Sequence, residues 1–359
     1  MRLFRRARCA CGRLLQCPSQ RKIPDMAVSI HDVARLAGVS ISTASRALNK
    51  AGRVSEETID KVQAVADRLG YQPNAIARTM RSKQSHAVGV IVSDISNPFY
   101  GRLVKLLERQ LADLGYASFV ASSNNDIATE VKLIRFLMSR KVDGLILGPC
   151  QTDAIAHVAH EVTGTPTILF DRDGRGDLSS VKVDHYLGTT LAMQHLLGLG
   201  HRRIALLTPG SQIQPIQDRV QAYADSLRAA GLPYDPQLIV FADSSMNFAP
   251  AQAERLLLLD DRPTAFLCLG TRILAGVVAA IRNARLQIPR DVNVLSIGDS
   301  DFAELHSPAI TSLAWDVSAV SQAISTLLFD RMQKKAPGVE TLVVPMRLIE
   351  RESCQRLRD

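Results

Sequence analysis

The chain has 359 residues and 46% hydrophobic content, enough for two or three domains around a large core, with a formal net charge of +8. The charge is uneven: residues 1–85 hold 16 Lys and Arg against 6 Asp and Glu, while the remainder is close to neutral. No stretch of about 18 apolar residues occurs and the first 25 residues lack a signal-peptide core, which disfavours membrane insertion and export and predicts a cytoplasmic protein.

Residues 1–27 read as a disordered extension, since they show no clean periodicity and residues 1–25 contribute seven of the basic residues. Met26 opens M-A-V-S-I-H-D-V-A and reads as an alternative translation start, which would leave residues 1–25 outside the native product. Residues 26–85 still carry a surplus of +4 without them. Cys9, Cys11 and Cys17 lack a paired second half, and Cys150, Cys268 and Cys354 are scattered singly, so neither a disulfide framework nor structural zinc is expected. His157 and His160 sit one helical turn apart without a recognisable third ligand and read as solvated histidines. No metal or cofactor is expected.

Residues 28–72 form the first expected domain. Within it, I-H-D-V-A-R-L-A-G-V-S-I-S-T-A-S-R-A-L-N, from 30 to 49, reads as two short helices joined by a tight turn. Val33, Ala34 and Ala37 give the first helix an apolar face, Gly38 supplies the turn, and Ala44, Ala47 and Leu48 repeat the spacing. The second helix then points Ile41, Ser42, Ser45 and Arg46 outward, with Thr43 and Asn49 beside them. Small hydroxyls suit phosphate and base-edge contacts, and an arginine fork matches the two major-groove acceptors of guanine. The basic surplus is the electrostatic footprint expected for the same partner, double-stranded DNA, the alternative being that it merely marks a basic tail.

Ser55 is placed to cap a third helix, with Glu56 and Glu57 in its first turn, a stripe of Ile59, Val62, Val65, Ala66 and Leu69, and Gly70 as its stop. Residues 73–85 follow. The run from Tyr71 to Ser82 is too short for a stable isolated helix and reads equally as a plain linker or as a helix that folds only when held. After a Pro73-Asn74 start, Ala75, Ile76, Ala77 and Met80 supply an apolar face while Arg78 and Arg81 supply charge, as a minor-groove helix needs.

From His86 to the end, residues 86–359, strands alternate with helices. Strands are expected at Ala87–Val92, 117–121, 144–147, 167–170, 204–207, near Leu238 and Phe266, and at 292–297, the last expected core strand. Helices are expected at 99–114, up to Arg140, and around 186–199, 216–230 and 318–334. The pattern is doubly wound α/β with too many strands for one sheet, so two lobes with a cleft between them fit better. Ligands of such folds bind at the carboxyl ends of strands, where Asp94, Asp171, Asp184, Gly298 and Asp299 fall.

Over Ser29 to about Cys354 the chain resembles the lactose-repressor (LacI) family of bacterial transcriptional regulators. The carrying strings are D-V-A-R-L-A-G-V-S at 32–40, R-V-S-E-E-T at 53–58, L-G-Y-Q-P-N-A-I-A-R at 69–78, D-I-S-N-P-F-Y at 94–100, V-D-G-L-I-L at 142–147 and L-G-H-R-R-I-A at 199–205. The resemblance implies a periplasmic-binding-protein-like core and a homodimer, or a tetramer of dimers, whose heads read a palindromic operator. It assigns Ile41, Ser42 and Arg46 to base readout and Ala75 to Arg81 to a hinge helix with Met80 as its wedge. Ala44 stands where a bulkier valine is usual.

The same resemblance places Asp94, Phe99, Asp171 and Arg219 against a small polyhydroxylated effector, a sugar or sugar acid. Two departures stand out. Gly270-Thr271 replaces the usual Asn-Asp pair, and Gly298-Asp299-Ser300-Asp301 replaces G-[FY]-D-D, so either Asp299 or Asp301 compensates, or the ligand is unusual, or none is needed. Trp315 lies in a stretch resembling the interlobe crossover, where it stacks on a ligand or packs as a core indole. The leading expectation is an effector-controlled repressor. The alternative is an effector-independent DNA-binding regulator with a degenerate cleft. A solute receptor needs no basic head, and no catalytic fingerprint is present, so no enzyme is expected.

Overall fold

The computed structural model describes residues 28–49, 52–71, 84–151, 155–174, 178–210, 213–242, 248–335 and 338–357. The expected extension at 1–27 and the hinge residues Asn74, Ala75, Ala77, Arg78, Met80 and Arg81 lie outside them. The chain divides into two compact units, one ending at residue 78 and one beginning at residue 79.

The first unit has three helices, α1 (Ile30–Ala37), α2 (Ile41–Leu48) and α3 (Glu56–Leu69). Local chemistry sets each boundary. The N–H and hydroxyl of Ser29 both donate to Asp32 at the start of α1, and Gly38 ends that helix at φ 67°, a left-handed conformation that costs a residue with a Cβ. Ser40 and Ser55 cap α2 and α3 by accepting from the backbone N–H of Thr43 and Thr58. Between the helices lie Val33, Ala34, Ala37, Ala44, Ala47, Val62, Val65 and Ala66. Ala44 is fully buried in this core of small side chains.

The second unit contains two six-stranded sheets. In chain order its elements are β1 (Ala87–Val92), α4 (Pro98–Asp113), β2 (Ala117–Ser122), α5 (Ile127–Ser139), β3 (Gly144–Leu147), α6 (Ile155–Glu161), β4 (Thr167–Phe170) and β5 (Ser179–Val183). There follow α7 (His185–Gly198), β6 (Ile204–Pro209), α8 (Gln214–Ala229), β7 (Ile239–Ala242), α9 (Phe248–Leu257), β8 (Ala265–Leu269), α10 (Thr271–Asn283) and β9 (Asn293–Ile297). The chain closes with α11 (Asp301–Leu305), β10 (Thr311–Trp315), α12 (Val317–Met332), β11 (Thr341–Val344) and β12 (Met346–Ile349).

The first sheet runs β11-β5-β4-β3-β1-β2 and is wholly parallel; the second runs β12-β10-β9-β8-β6-β7, with only β12 antiparallel. Parallel sheets need both faces covered, which is why β1, β3, β4 and β9 are buried along their whole length. One continuous core joins the lobes, from Val88, Ile146 and Ile168 in the first to Ile204, Leu267 and Leu295 in the second. Each such side chain contributes about 1.5 to 3 kcal/mol of burial.

The chain crosses between lobes three times, after β5, after β10 and between β11 and β12. Four strands escape the sequence reading: β5, β10, β11 and β12. Beyond 292–297, the last strand read from the sequence, β10 lies inside the second sheet beside β9. For β5 and β10 the physical reason is polar strand interiors whose hydroxyls are satisfied by residues distant in sequence. In β10 the buried Thr311 hydroxyl accepts from Arg351 N–H, while Ser353 Oγ accepts from Thr311 N–H. In β5 the buried Ser179 hydroxyl accepts from Arg331 and from Glu340 N–H. Hydroxyls paired in this way enter a core without an apolar run in the sequence.

Candidate functional site

The head turns one polar face outward. Ile41, Ser42, Arg46 and Asn49 are exposed, Thr43 and Ser45 half-exposed, and Ala44 and Ala47 buried behind them. The hydroxyls of Ser42 and Thr43 lie 2.8 Å from Ser40 Oγ, and the Asn49 amide donates to Ser45 O at 2.7 Å. Arg46 has no acidic partner among the described residues, so its guanidinium is available to an external acceptor. The six residues singled out from the sequence thus share one helix and its end.

The second cluster lies where the chain crosses between lobes. His185 is the first residue of α7, just after one crossing, and Trp315 is the last residue of β10, just before another. Asp171 follows β4 with φ 54°, its N–H donating to Val181 O. Arg219 comes from the middle of α8 and is 4% exposed. These residues form a relay: His185 Nε2 lies 2.5 Å from Asp171 Oδ1, and Arg219 Nη2 lies 2.7 Å from His185 Nδ1.

The donor order of the relay is fixed by chemistry. A guanidinium has only donors, so His185 Nδ1 must accept, and the ring proton must sit on Nε2 and point at Asp171. Burial lowers the His185 pKa, and the neighbouring Arg219 charge lowers it further against the pull of Asp171, which keeps the ring neutral. Burial raises the Asp171 pKa, but His185 and the Arg172 and Arg219 charges outweigh it and hold the carboxyl ionised. Burial also brings Arg219 down to about 10, which leaves it protonated at neutral pH.

Aromatic rings wall this relay. Asn97 caps α4 by accepting from Phe99 N–H, which sets Phe99 and Tyr100 in its first turn. Phe99 meets the Trp315 ring edge-on at 5.3 Å between centroids, Tyr100 meets Phe170 at 5.8 Å, and Trp315 meets His185 at 6.4 Å. Trp315 is half-exposed, but its Nε1 is buried without a hydrogen-bond partner, and so is Arg219 Nε. Arg172, almost fully buried, props the Asp171 loop by donating to the carbonyls of Asp171 and Pro149.

Asp94, in the loop after β1, accepts from the N–H and hydroxyl of Ser96. Arg272, in the first turn of α10, donates to both Asp94 Oδ2 (2.9 Å) and Ser96 Oγ (2.6 Å), tying one lobe to the other. The Ser96 hydrogen bonds, aided by Arg272, hold the Asp94 carboxyl below its usual range despite burial.

The structure thus brings Asp171, Arg219, Phe99 and Trp315 together, while Asp94 is engaged by Ser96 and Arg272. The other candidates serve local structure. Asp184 caps α7 by accepting from Leu187 N–H, Ser300 caps α11 by accepting from Ala303 N–H, and Gly270 precedes α10 at φ 81°. Asp299 makes a two-pronged pair with Arg351 at 2.8 and 3.1 Å. Asp301 is exposed in the first turn of α11. Sequence reasoning missed His185, Arg172 and Arg272. His185 directly follows Asp184, and Arg272 follows Gly270-Thr271, so the strand-end rule that selected their neighbours also reaches them.

A helical head with one exposed arginine-bearing helix, followed by two doubly wound lobes sharing a polar cluster at their crossings, defines a helix-turn-helix protein on a periplasmic-binding-protein-like core. Residues 29–74 match the family described as bacterial regulatory proteins, lacI family, and residues 193–354 match the periplasmic binding protein-like domain. The ribose operon repressor of Escherichia coli (strain K12) is 31% identical over 330 residues, covering 91% of this chain and 99% of that protein. The HTH-type transcriptional regulator DegA of Bacillus subtilis (strain 168) is 29% identical, covering 92% and 99%. Among solved structures, the lac repressor dimer bound to operator and the anti-inducer ONPF is 26% identical with a TM-score of 0.83, covering 91% of this chain and 99% of that one. A LacI family transcriptional regulator from Enterococcus faecium with bound ribose is 26% identical with a TM-score of 0.68, covering 76% and 100%. The chain belongs to the lacI family of bacterial regulatory proteins.

Proposed function

We propose that the chain is a sequence-specific transcriptional repressor that binds a palindromic operator as a homodimer and responds to a small-molecule effector, a sugar or sugar acid, at the interlobe cluster. The observation that carries this reading is the exposed face of α2, where Ile41, Ser42, Arg46 and Asn49 stand over a buried alanine core. The relatives supply the rest: one is a ribose operon repressor, one solved relative is a dimer on its operator, and another holds ribose. In this reading Asp171, Arg219, Phe99, Trp315 and Asp94 face the effector, and residues 73–85 connect the head to the core as the hinge. The protein works in the cytoplasm and carries no catalytic activity; no helix among the described residues is long and apolar enough to cross a membrane.

Operator selection from a random duplex library tests the reading. A two-fold symmetric consensus bound by wild type, and lost or broadened in Arg46→Ala, supports it. Absence of any selected sequence would refute it. The effector-independent alternative draws on Asp94, Asp171 and Asp299, each of which already has a protein partner. Operator binding that no small molecule alters would favour it.

A further inference from the structure

Arg219 is 4% exposed, yet no carboxylate lies within ion-pair distance of its guanidinium among the described residues. Its direct partner is the neutral Nδ1 of His185, and Asp171 is reached only through that ring. A buried cation held by a neutral acceptor keeps its charge uncompensated at contact range, a costly arrangement unless an anion completes it. Two buried N–H groups at this spot, Arg219 Nε and Trp315 Nε1, have no partner, and both belong to residues that contact His185.

The candidate carboxylates already hold at least one partner each, Asp301 apart. Asp171 Oδ1 accepts from His185 Nε2–H, Asp94 accepts from Arg272 and Ser96, both oxygens of Asp299 accept from Arg351, and Asp184 accepts from Leu187 N–H. Asp218, beside Arg219 in sequence, receives Gln214. Asp301 is the exposed exception. A neutral sugar is read chiefly by carboxylates that accept from its hydroxyls, whereas this cluster has spare donors and a spare positive charge.

Resting on the effector reading above, we propose that the effector is a sugar acid whose carboxylate pairs with Arg219 and accepts from Trp315 Nε1. His185 is the specificity-determining residue. By donating its Nε2–H to Asp171 Oδ1 it engages one oxygen of the acceptor that a neutral sugar would use, and by meeting Arg219 with a bare nitrogen it leaves the guanidinium charge for the ligand.

Calorimetric titration of the full chain with three matched pairs tests this: D-glucuronate and D-glucose, D-galacturonate and D-galactose, D-gluconate and D-glucitol. At least one acid is expected to bind ten-fold or more tightly than its neutral partner and to change operator affinity. His185→Asn should bring that ratio toward one. Arg219→Gln, which keeps a donor for His185 without the charge, should remove acid binding with the fold intact by circular dichroism. Operator control by the neutral members alone would overturn the acid preference and leave the effector reading standing. No response of either binding or operator affinity to any of the six would overturn both.

Discussion

Arg272 Nη2 lies 2.9 Å from Asp94 Oδ2, across 178 positions of sequence, and the two residues mark the switch points of the two sheets. Asp94 follows β1, which is flanked by β2 and β3; Arg272 follows β8, which neighbours β6 opposite β7. Strand order reverses at these places, so the loops diverge and leave room at the strand ends. The ion pair spans that opening.

Because Arg272 is 59% exposed and Asp94 30%, the pair should add no more than about 1 kcal/mol to stability. Arg272→Ala is expected to leave Tm within about 4 °C of wild type while widening the separation of the lobes in small-angle scattering. Raising salt to 1 M should move wild type toward the variant, since the Debye length falls to about 3 Å. Identical scattering of the two proteins at low salt would remove the interlobe role from this pair.

Arg46→Ala is expected to weaken operator binding by about 1 to 3 kcal/mol and to relax specificity at one base pair, as loss of a bidentate base contact does. Affinities for a set of single-substitution operators measure this. An equal loss for every sequence, with a shallower salt dependence, would instead make Arg46 a phosphate contact.

The relay sets a pH dependence with a definite sign. The folded-state pKa of His185 is below its ordinary value of 6.5, so the unfolded chain binds the proton more readily. Its contribution to stability is therefore complete above pH 6.5 and is lost as pH falls toward the depressed folded value. His201 is shifted the same way by burial and contributes over a similar range. The discriminating measurement is the difference between wild type and His185→Asn in urea unfolding from pH 7.5 to 5.0. Wild type should lose stability more steeply, and parallel profiles would exclude His185 as the group responsible.

Gly298 adopts φ 101°, and a Cβ there would lie 3.5 Å from the Trp315 ring, an ordinary contact. The cost of Gly298→Ala is thus backbone strain rather than collision, about 1 to 3 kcal/mol. Trp315 is the single tryptophan, so intrinsic fluorescence reports on this spot directly. The variant should show a lower urea midpoint with an almost unchanged native emission maximum. A large native spectral shift would point to steric displacement of the indole instead.

The head was the most legible part of the sequence. Ser40, Gly38, Ser55 and Gly70 act within four residues of themselves, through caps and left-handed turns, so their consequences are written in local spacing. The alternation of buried strands and helices was legible for the same reason, wherever strands are continuous apolar runs such as A-V-G-V-I-V in β1. It failed at S-S-V-K-V in β5 and T-S-L-A-W in β10, where the buried hydroxyls of Ser179 and Thr311 accept from residues 161 and 40 positions away.

The candidate site divides along the same line. Asp94, Asp171 and Arg219 were found because strand ends and family motifs are properties of position. Their partners were not, because pairing depends on which side chains the crossings bring together. Asp299 was a candidate for the cleft and turns to Arg351 instead, 52 residues on; His185 was overlooked and proves to join Asp171 to Arg219, 34 residues beyond it. By itself the sequence determined that this is a DNA-reading head on a two-lobed core, since helix caps and hydrophobic period act locally. Only the tertiary structure decided which charges meet, because the energy of a buried ion or hydrogen bond depends on distances of a few ångströms that no local pattern encodes.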